Sequence, residues 1–413
     1  PYSLKALGDL IYCGGVNRFI FHRYAHQPWT EYLPGMTMGP HGFHFERTIT
    51  WWEQAPAWTS YLTRCQYLLQ EGLFYADLCY FIGEGSPNSP AGRTGLRPAP
   101  PAGYDYDACN ADVILHRMTV KDGRLVLPDG MSYRLLVLPE SQTMSVELLT
   151  RIRDLVRDGA TVIGPRPSRA PGLQGYPTAD SQVQALAQEL WGDCDGQKVT
   201  EHALGKGSIL WGKPIEQVLA ARVGPPDFEY AAGSRRPVLN YLHRQADDAD
   251  LYFVACQSPR TEYVDCTFRI AGKVPELWHP DTGTVERAPA FRQDQGRTTV
   301  PLRLDPSGSV FVVFREPLSA ADNLISAQRN GVSLLQQPPM RRADLQIRRA
   351  IYGPAEAVVA NVVEVTTQLS RMVRNATLTV RADNTLAGDP AQDIVKQLLV
   401  RYTYNGRPFV ATV

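Results

Sequence analysis

Two apolar runs, 17–22 and 74–82, bracket a loop and a stretch of helical periodicity, and this order constrains the fold more than any other feature of the chain. Runs joined by a helix-length crossover pair in parallel, because a short hairpin turn cannot connect parallel strands. The expected structure is two βα units from the end of a (β/α) barrel. In such barrels the loops leaving the C-terminal ends of the strands hold the chemistry. The loop after 17–22 leaves such an end, and it is too rich in aromatic, imidazole and sulfur side chains for a solvated connection. It carries His22, Tyr24, His26, Gln27, Trp29, Met36, Met38, His41, His44, Arg47, Trp51, Trp52 and Glu53.

The rest of the chain separates by texture. Leu4–Tyr12 has helical spacing and stops at Gly14-Gly15. Pro56 suits a first helical turn, and Trp58, Tyr61, Leu62, Cys65, Leu68 and Leu69 recur at helical intervals up to Gly72. Residues 1–88 are therefore expected to be the C-terminal part of a barrel with a sugar-site loop, and the Pro- and Gly-rich 89–103 a linker. From 104 to 225, Leu125–Leu127, Tyr133–Leu138 and Ala160–Ile163 read as strands, with helices at Ser145–Arg157 and Val183–Trp191. The expectation there is a flavodoxin- or amidotransferase-like α/β layer domain with a parallel sheet. Short alternating runs over 226–317, beginning with Val238–His243 and Leu251–Ala255, indicate a β-sandwich. A second linker, 318–340, leads to a small α+β module at 341–413, with strands near 345–351, 378–380 and 397–404 and a helix within 357–373. The fold class is thus multidomain α/β plus all-β.

Lys+Arg and Asp+Glu are both 42 in 413 residues, which argues against a nucleic-acid or membrane-surface partner. No apolar run approaches the roughly 18 residues that span a bilayer. The seven cysteines are scattered without a CxxC pair, so a zinc site or redox dithiol has no support. Buried thiols are the plain reading, with Cys256 and Cys266 as the one pair that a hairpin could join. The chain opens on Pro1-Tyr-Ser-Leu-Lys, without an initiator Met or a signal peptide. It is expected to be the later part of a longer protein, with the earlier barrel strands upstream.

Several chemistries fit parts of this pattern. Trp51, Trp52 and Glu53 beside Arg47 suit a sugar platform, since sugars lay their C–H faces on aromatic rings and need polar partners at the rim. A barrel-capping loop with core tryptophans fits the same residues. His22 sits where a base or substrate hydrogen-bond donor would, followed by Tyr24 and His26. Neither His41 nor His44 has the acidic neighbours of a metal set, and no metal ligands are assigned. Glycosidic hydrolysis needs two carboxyl groups, and Glu46, Glu53 and Glu84 are the candidates. Leu138–Met144 lacks a nucleophile elbow, so Glu140 and Ser141 are read as structural. The acidic run Asp247–Asp250 lacks the glycine and terminal glutamate of a calcium loop and reads as a hairpin turn.

Several long motifs share one further feature. His22-Arg-Tyr-Ala-His-Gln-Pro-Trp29, Pro34-Gly-Met-Thr-Met-Gly-Pro40, Thr50-Trp-Trp-Glu53 and Tyr61-Leu-Thr-Arg-Cys-Gln-Tyr-Leu-Leu69 resemble glycoside hydrolase family 106, the α-L-rhamnosidases. So do Asp105-Tyr-Asp-Ala-Cys-Asn110, Leu127–Pro139 and Pro275-Glu-Leu-Trp-His-Pro-Asp-Thr-Gly283. The resemblance covers about 1–316 and leaves out the end module. It implies an inverting, calcium-assisted hydrolysis of terminal α-L-rhamnose from plant polysaccharides or glycosides, by a protein exported to the periplasm or exterior. It implies catalytic glutamates upstream of Pro1, with Glu53 and Glu84 the weaker candidates within the chain. It also implies His22, Tyr24, His26, Gln27, Trp29, Arg47, Trp51, Trp52 and Glu53 as contacts to a rhamnose-containing carbohydrate. A chain lacking one carboxyl would be inactive alone. A non-catalytic carbohydrate-binding protein and a β-galactosidase-like hydrolase are the competing readings.

Overall fold

The structure is a computed structural model that describes every residue except 1, 23, 34, 38, 42–44, 233–236, 320–326, 334–344, 355–361, 374–377, 393 and 405–406. The chain divides into two compact units, the larger spanning 1–230 with 238–324, the smaller 231–237 with 325–413.

In the larger unit a six-stranded sheet runs in the order Tyr106–Cys109, Leu78–Phe81, Leu135–Val137, Thr161–Ile163, Gly207–Leu210, Glu201–Leu204. All neighbours are parallel except the last pair. The five parallel strands therefore follow the order 2-1-3-4-5 of flavodoxin-like sheets. Side chains alternate across the sheet as the two-residue period requires. Cys79, Phe81, Leu136, Leu138, Val162 and Ile209 share a core with Leu148, Ile152, Val183 and Leu190 of helices Val146–Asp158 and Ala179–Trp191. Leu78, Tyr80, Leu135, Val137, Ile163 and Leu210 face Ile215, Val218 and Leu219 of helix Ile215–Arg222. Both faces are covered, so the strands read as unbroken apolar runs.

The all-β layers also form. One sheet runs Leu73–Phe74, Leu239–Ala246, Ala249–Cys256, Ser309–Pro317, Lys273–Trp278, Val285–Arg287; the other runs Phe228–Ala232, Glu262–Phe268, Arg297–Leu304, Arg292–Asp294. Strand Ala249–Cys256 is buried on both faces. Leu251, Phe253 and Ala255 meet Tyr12, Tyr61, Leu62, Cys65 and Leu68 from helices Tyr2–Cys13 and Ala55–Leu68. Tyr252 and Phe314 turn the other way, onto Phe268 of the second sheet. Helices, sheet and sheet make three layers.

Three expectations for the larger unit are corrected, and the reading of its cysteines as unpaired thiols holds. Residues 17–22 form no strand; Ile20 is 89% exposed, and no strand lies between residues 1 and 70 among those described. A short apolar run becomes a strand only where a neighbouring strand takes its backbone groups; among the described residues none pairs with it, and Gln70 Nε2 alone reaches Asn17 O (3.4 Å). The run 74–82 is split: Leu73–Phe74 pairs antiparallel with Arg244 and Gln245, while Leu78–Phe81 is an inner strand of the α/β sheet. A wholly apolar strand suits a layered parallel sheet as well as a barrel, so composition did not separate them. Leu125–Val126 and Tyr133 belong to a separate three-stranded sheet whose turn closes with Gly130 N–H donating to Leu127 O (2.9 Å), and Leu135–Val137 alone joins the parallel sheet. All seven cysteines are free, including the buried Cys256 and Cys266.

The expected linker 89–103 is anchored: Tyr80 Oη donates to Pro98 O (2.8 Å), and Arg93 Nη2 bonds Asp105 Oδ1 (2.9 Å). Asp247–Asp248 turn a hairpin, and Asp250 is a buried ion-pair partner. The smaller unit has an antiparallel sheet in the order Val363–Glu364, Leu345–Pro354, Lys396–Tyr404, Arg407–Thr412. Helix Thr366–Met372 buries Leu369 against Ala350, Tyr352, Leu398 and Val400. Residues 378–380 are not a strand, and the first part of the expected helix, 357–361, lies outside the described residues.

A buried chain of charges joins the α/β sheet to the sandwich. Arg269 Nη2 reaches Asp77 Oδ2 at 2.7 Å, one residue before strand Leu78–Phe81, and Asp227 Oδ1 at 3.7 Å. His243 Nδ1 and Nε2 donate to Asp227 Oδ2 (3.0 Å) and Asp250 Oδ1 (3.2 Å). Lys273 closes the row on Asp250 Oδ2 at 3.1 Å, and the His243 ring stacks on Tyr252 at 3.9 Å. Burial pulls the imidazole pKa down, but the Asp227 charge and the hydrogen bonds to both carboxylates outweigh it, raising it to about 9. The sign follows: the free imidazole near 6.5 marks where the contribution is complete, and it is lost as pH rises through about 9. Urea unfolding of the chain should therefore show stability falling by on the order of 3 kcal/mol between pH 6.5 and 10. His243→Gln should flatten that limb; an unchanged slope in the variant would contradict the assignment.

Candidate functional site

The loop expected to carry the chemistry folds around Phe45. Phe21 stacks on it (5.0 Å between centroids, 10° between planes), Trp52 meets it edge-on at 5.5 Å, and Trp51 lies at 6.1 Å. Tyr24 touches both Phe45 (6.5 Å) and Trp52 (5.9 Å). Offset and edge-on pairs of this kind hold ring orientation as well as burying area. The segment 21–24 is thus fixed to the segment that enters helix Ala55–Leu68. Phe21 and Phe45 were not among the expected site residues. Phe21 was hidden in a supposed strand, and Phe45 sits in the short run His41-Gly-Phe-His-Phe-Glu46, too brief to mark an element.

Gln27 has a different role from the one expected. Its side chain is buried and grips Met36 both ways: Nε2 donates to Met36 O (2.6 Å), and Met36 N–H donates to Oε1 (2.9 Å). With its amide committed to the backbone, Gln27 shapes the loop. Gly35 beside it has φ +74°, and a Cβ there would lie 2.2 Å from Gln27 Oε1. Arg47 Nη2 donates to Gln27 O, tying the two halves of the loop.

His22, Tyr24, His26, Trp29 and Glu53 are exposed, Trp29 by 61%, while Trp51 and Trp52 are half-buried. Arg47 is exposed beyond its tie to Gln27. His41 lies in a short turn, Gly39–His41; Met38 and His44 fall outside the described residues. The loop brings Tyr24, Trp51 and Trp52 together, and leaves exposed imidazoles on the same segment. Aromatic faces with polar side chains around them suit a ring that is apolar on one side and hydroxylated at its edge.

The three candidate carboxylates divide. Glu46 is fully buried, its oxygens accepting from Thr48 N–H (2.7 Å) and the Thr48 hydroxyl. Glu84 accepts from Ser145 N–H (2.8 Å), at the start of helix Val146–Asp158, where a carboxylate offsets the positive helix end. Glu53 is exposed, as Glu84 is, but it stands in the short turn that leads into helix Ala55–Leu68 and is not tied to a helix start. Among the described residues no three His, Cys, Asp or Glu side chains are grouped to hold a metal ion. No helix among them is long and apolar enough to cross a membrane.

Comparison with known proteins gives the family. The α-L-rhamnosidase family, glycoside hydrolase family 106, matches residues 1–293, and the chain belongs to it. A protein of Formosa agariphila bearing the name "Putative beta-glucuronidase" is 34% identical over 405 residues, which is 97% of this chain and 33% of that protein. That match reaches into 341–413, so the end module is shared with this relative. The solved rhamnosidase of Novosphingobium sp. PP1Y superposes with a TM-score of 0.70 at 29% identity, over 88% of this chain and 33% of its own length. The chain spans about a third of each of these relatives.

The loop's shape depends on the Gln27 grip. Gly35→Ala should break it and raise the rate of limited proteolysis within 24–36 several-fold, leaving the cleavage rate elsewhere unchanged. Equal rates in the two proteins would show that the grip is dispensable.

Proposed function

We propose that the longer protein represented by this chain hydrolyses terminal α-L-rhamnose from plant polysaccharides or glycosides, by an inverting mechanism with two carboxyl groups. In this reading the chain supplies part of the sugar-binding wall. The observation that carries it is the Phe45-centred aromatic group, which includes the exposed Tyr24, on a segment that also exposes His22, His26 and Trp29 inside the matched family region. Tyr24 and Trp52 offer the stacking surface, while the imidazoles, Trp29 and Arg47 offer hydrogen bonds at its edge.

An inverting pair stands about 6.5–9.5 Å apart with a water between. Glu46 and Glu84 are committed to backbone and hydroxyl partners, which leaves Glu53 as the candidate within the described chain. The second carboxyl, and any calcium ligands, would come from outside these residues. Export to the periplasm or exterior belongs to the same proposal. A second reading rests on the Formosa agariphila relative's name: release of a β-linked glucuronic acid at the same wall.

Turnover of aryl α-L-rhamnoside and aryl β-glucuronide by the longer protein, each with and without a chelator, separates the two. Rhamnoside hydrolysis that the chelator suppresses is expected. Activity on the glucuronide alone would transfer the assignment to the second reading. The 413-residue chain by itself should turn over neither substrate; measurable hydrolysis by it would show that its own glutamates suffice.

A further inference from the structure

A second site lies at the other end of helix Ala55–Leu68. There a cleft of about 370 Å³ opens between the helix and the hairpin Trp278–Val285 of the sandwich. Thr63, Arg64 and Tyr67 line one side; Trp278, His279 and Thr284 line the other. These hairpin residues include part of the motif Pro275–Gly283, which the loop site leaves without a role.

The walls are held rigidly. Arg64 Nη1 donates to Pro280 O (2.9 Å) and Asp281 O (3.1 Å), pinning the hairpin tip to the helix. Gly283 allows this seating: its φ is +79°, and a Cβ there would lie 2.9 Å from Arg64 Nε. Trp278 Nε1 donates to Glu276 Oε2 (2.8 Å), and Arg315, bonded to the same oxygen, sits 5.4 Å from the indole centroid. The indole is therefore fixed before any ligand arrives. His279 Nε2 lies 3.1 Å from Glu286 Oε1, so one ring nitrogen already has a partner. Tyr67, by contrast, is 65% exposed although it is a large aromatic.

One held indole and one exposed tyrosine ring, with hydroxyl and imidazole groups among the same lining residues, define a narrow class of occupant. A phosphate would find the imidazole already facing a carboxylate. A folded protein needs a far larger contact than this cleft provides. A pyranose ring meets both requirements, with an apolar face for the rings and hydroxyls for the edge, and the volume falls within the range of small-ligand sites.

We infer that this cleft is a second carbohydrate subsite, binding one pyranose unit of the glycan whose end occupies the loop site. The inference rests on the carbohydrate-acting reading above. Residues Ala55 and Tyr67 are about 18 Å apart along the helix axis, so one oligosaccharide could follow the helix from the aromatic loop to the cleft.

Affinity electrophoresis of the 413-residue chain in native gels containing rhamnogalacturonan tests it. Retardation is expected, with Tyr67→Ala weakening apparent affinity roughly three- to tenfold and Trp278→Phe weakening it less. Trp52→Ala in the loop should leave a residual retardation that the Tyr67→Ala, Trp52→Ala double variant loses. Tyr67 is exposed, so its variant should keep the parent circular dichroism spectrum. Migration of Tyr67→Ala like the unaltered chain, or no retardation of that chain at all, would overturn the proposal. Failure of the longer protein to hydrolyse rhamnosides would leave the retardation untouched, so the two readings fail separately.

Discussion

The larger unit depends on a row of buried charges: Asp77, Arg269, Asp227, His243, Asp250 and Lys273. Apolar burial builds each layer, but it has no direction and does not by itself fix one layer against another. The charges do. Arg269 leaves the sandwich and ends on Asp77 at the entrance of a parallel strand, so the register of one layer is tied to the position of the other. Taking such ions out of water is costly, and removing one partner from a buried set leaves a charge with nothing to offset it. Here three cations face three carboxylates, and His243 remains protonated because both its nitrogens meet one. The row therefore specifies an arrangement more than it adds stability.

That arrangement sets up the functional surface. Strand Ala249–Cys256, which carries Asp250, offers its other face to the helices Tyr2–Cys13 and Ala55–Leu68. The second helix then presents the aromatic loop at its start and the Trp278 cleft near its end. The same sheet thus anchors the charge row on one side and the helix bearing the loop and the cleft on the other. Motifs as distant as Thr50–Glu53 and Pro275–Gly283 are thereby set at the two ends of one helix.

Local patterns were legible in the sequence. Pro56, the apolar spacing of Tyr61, Leu62, Cys65 and Leu68, and the stop after Leu69 set the second helix. The α/β layer and the sandwich followed from alternation and turns. Partnership was not legible. Nothing in Ile20 or Phe21 says that no strand lies beside them, and nothing in Leu78–Phe81 distinguishes a barrel neighbour from a layered one. Asp77 and Arg269 are 192 residues apart, so their bond leaves no periodic trace. Within the loop, Tyr24, Trp51 and Trp52 stood out by composition and the structure gathers them around Phe45, whereas the roles of Gln27 and Glu84 emerged only from their backbone partners.

The central claim is that the aromatic group on this loop contacts the sugar that is released. Its most direct test is kcat/KM for aryl α-L-rhamnoside in the longer protein carrying Trp52→Ala, measured beside the unaltered protein, with equal thermal midpoints as the control for folding. The account predicts a loss of roughly tenfold or more. An unchanged kcat/KM would contradict it, because a ring that can be removed without effect on the transition state does not line the site.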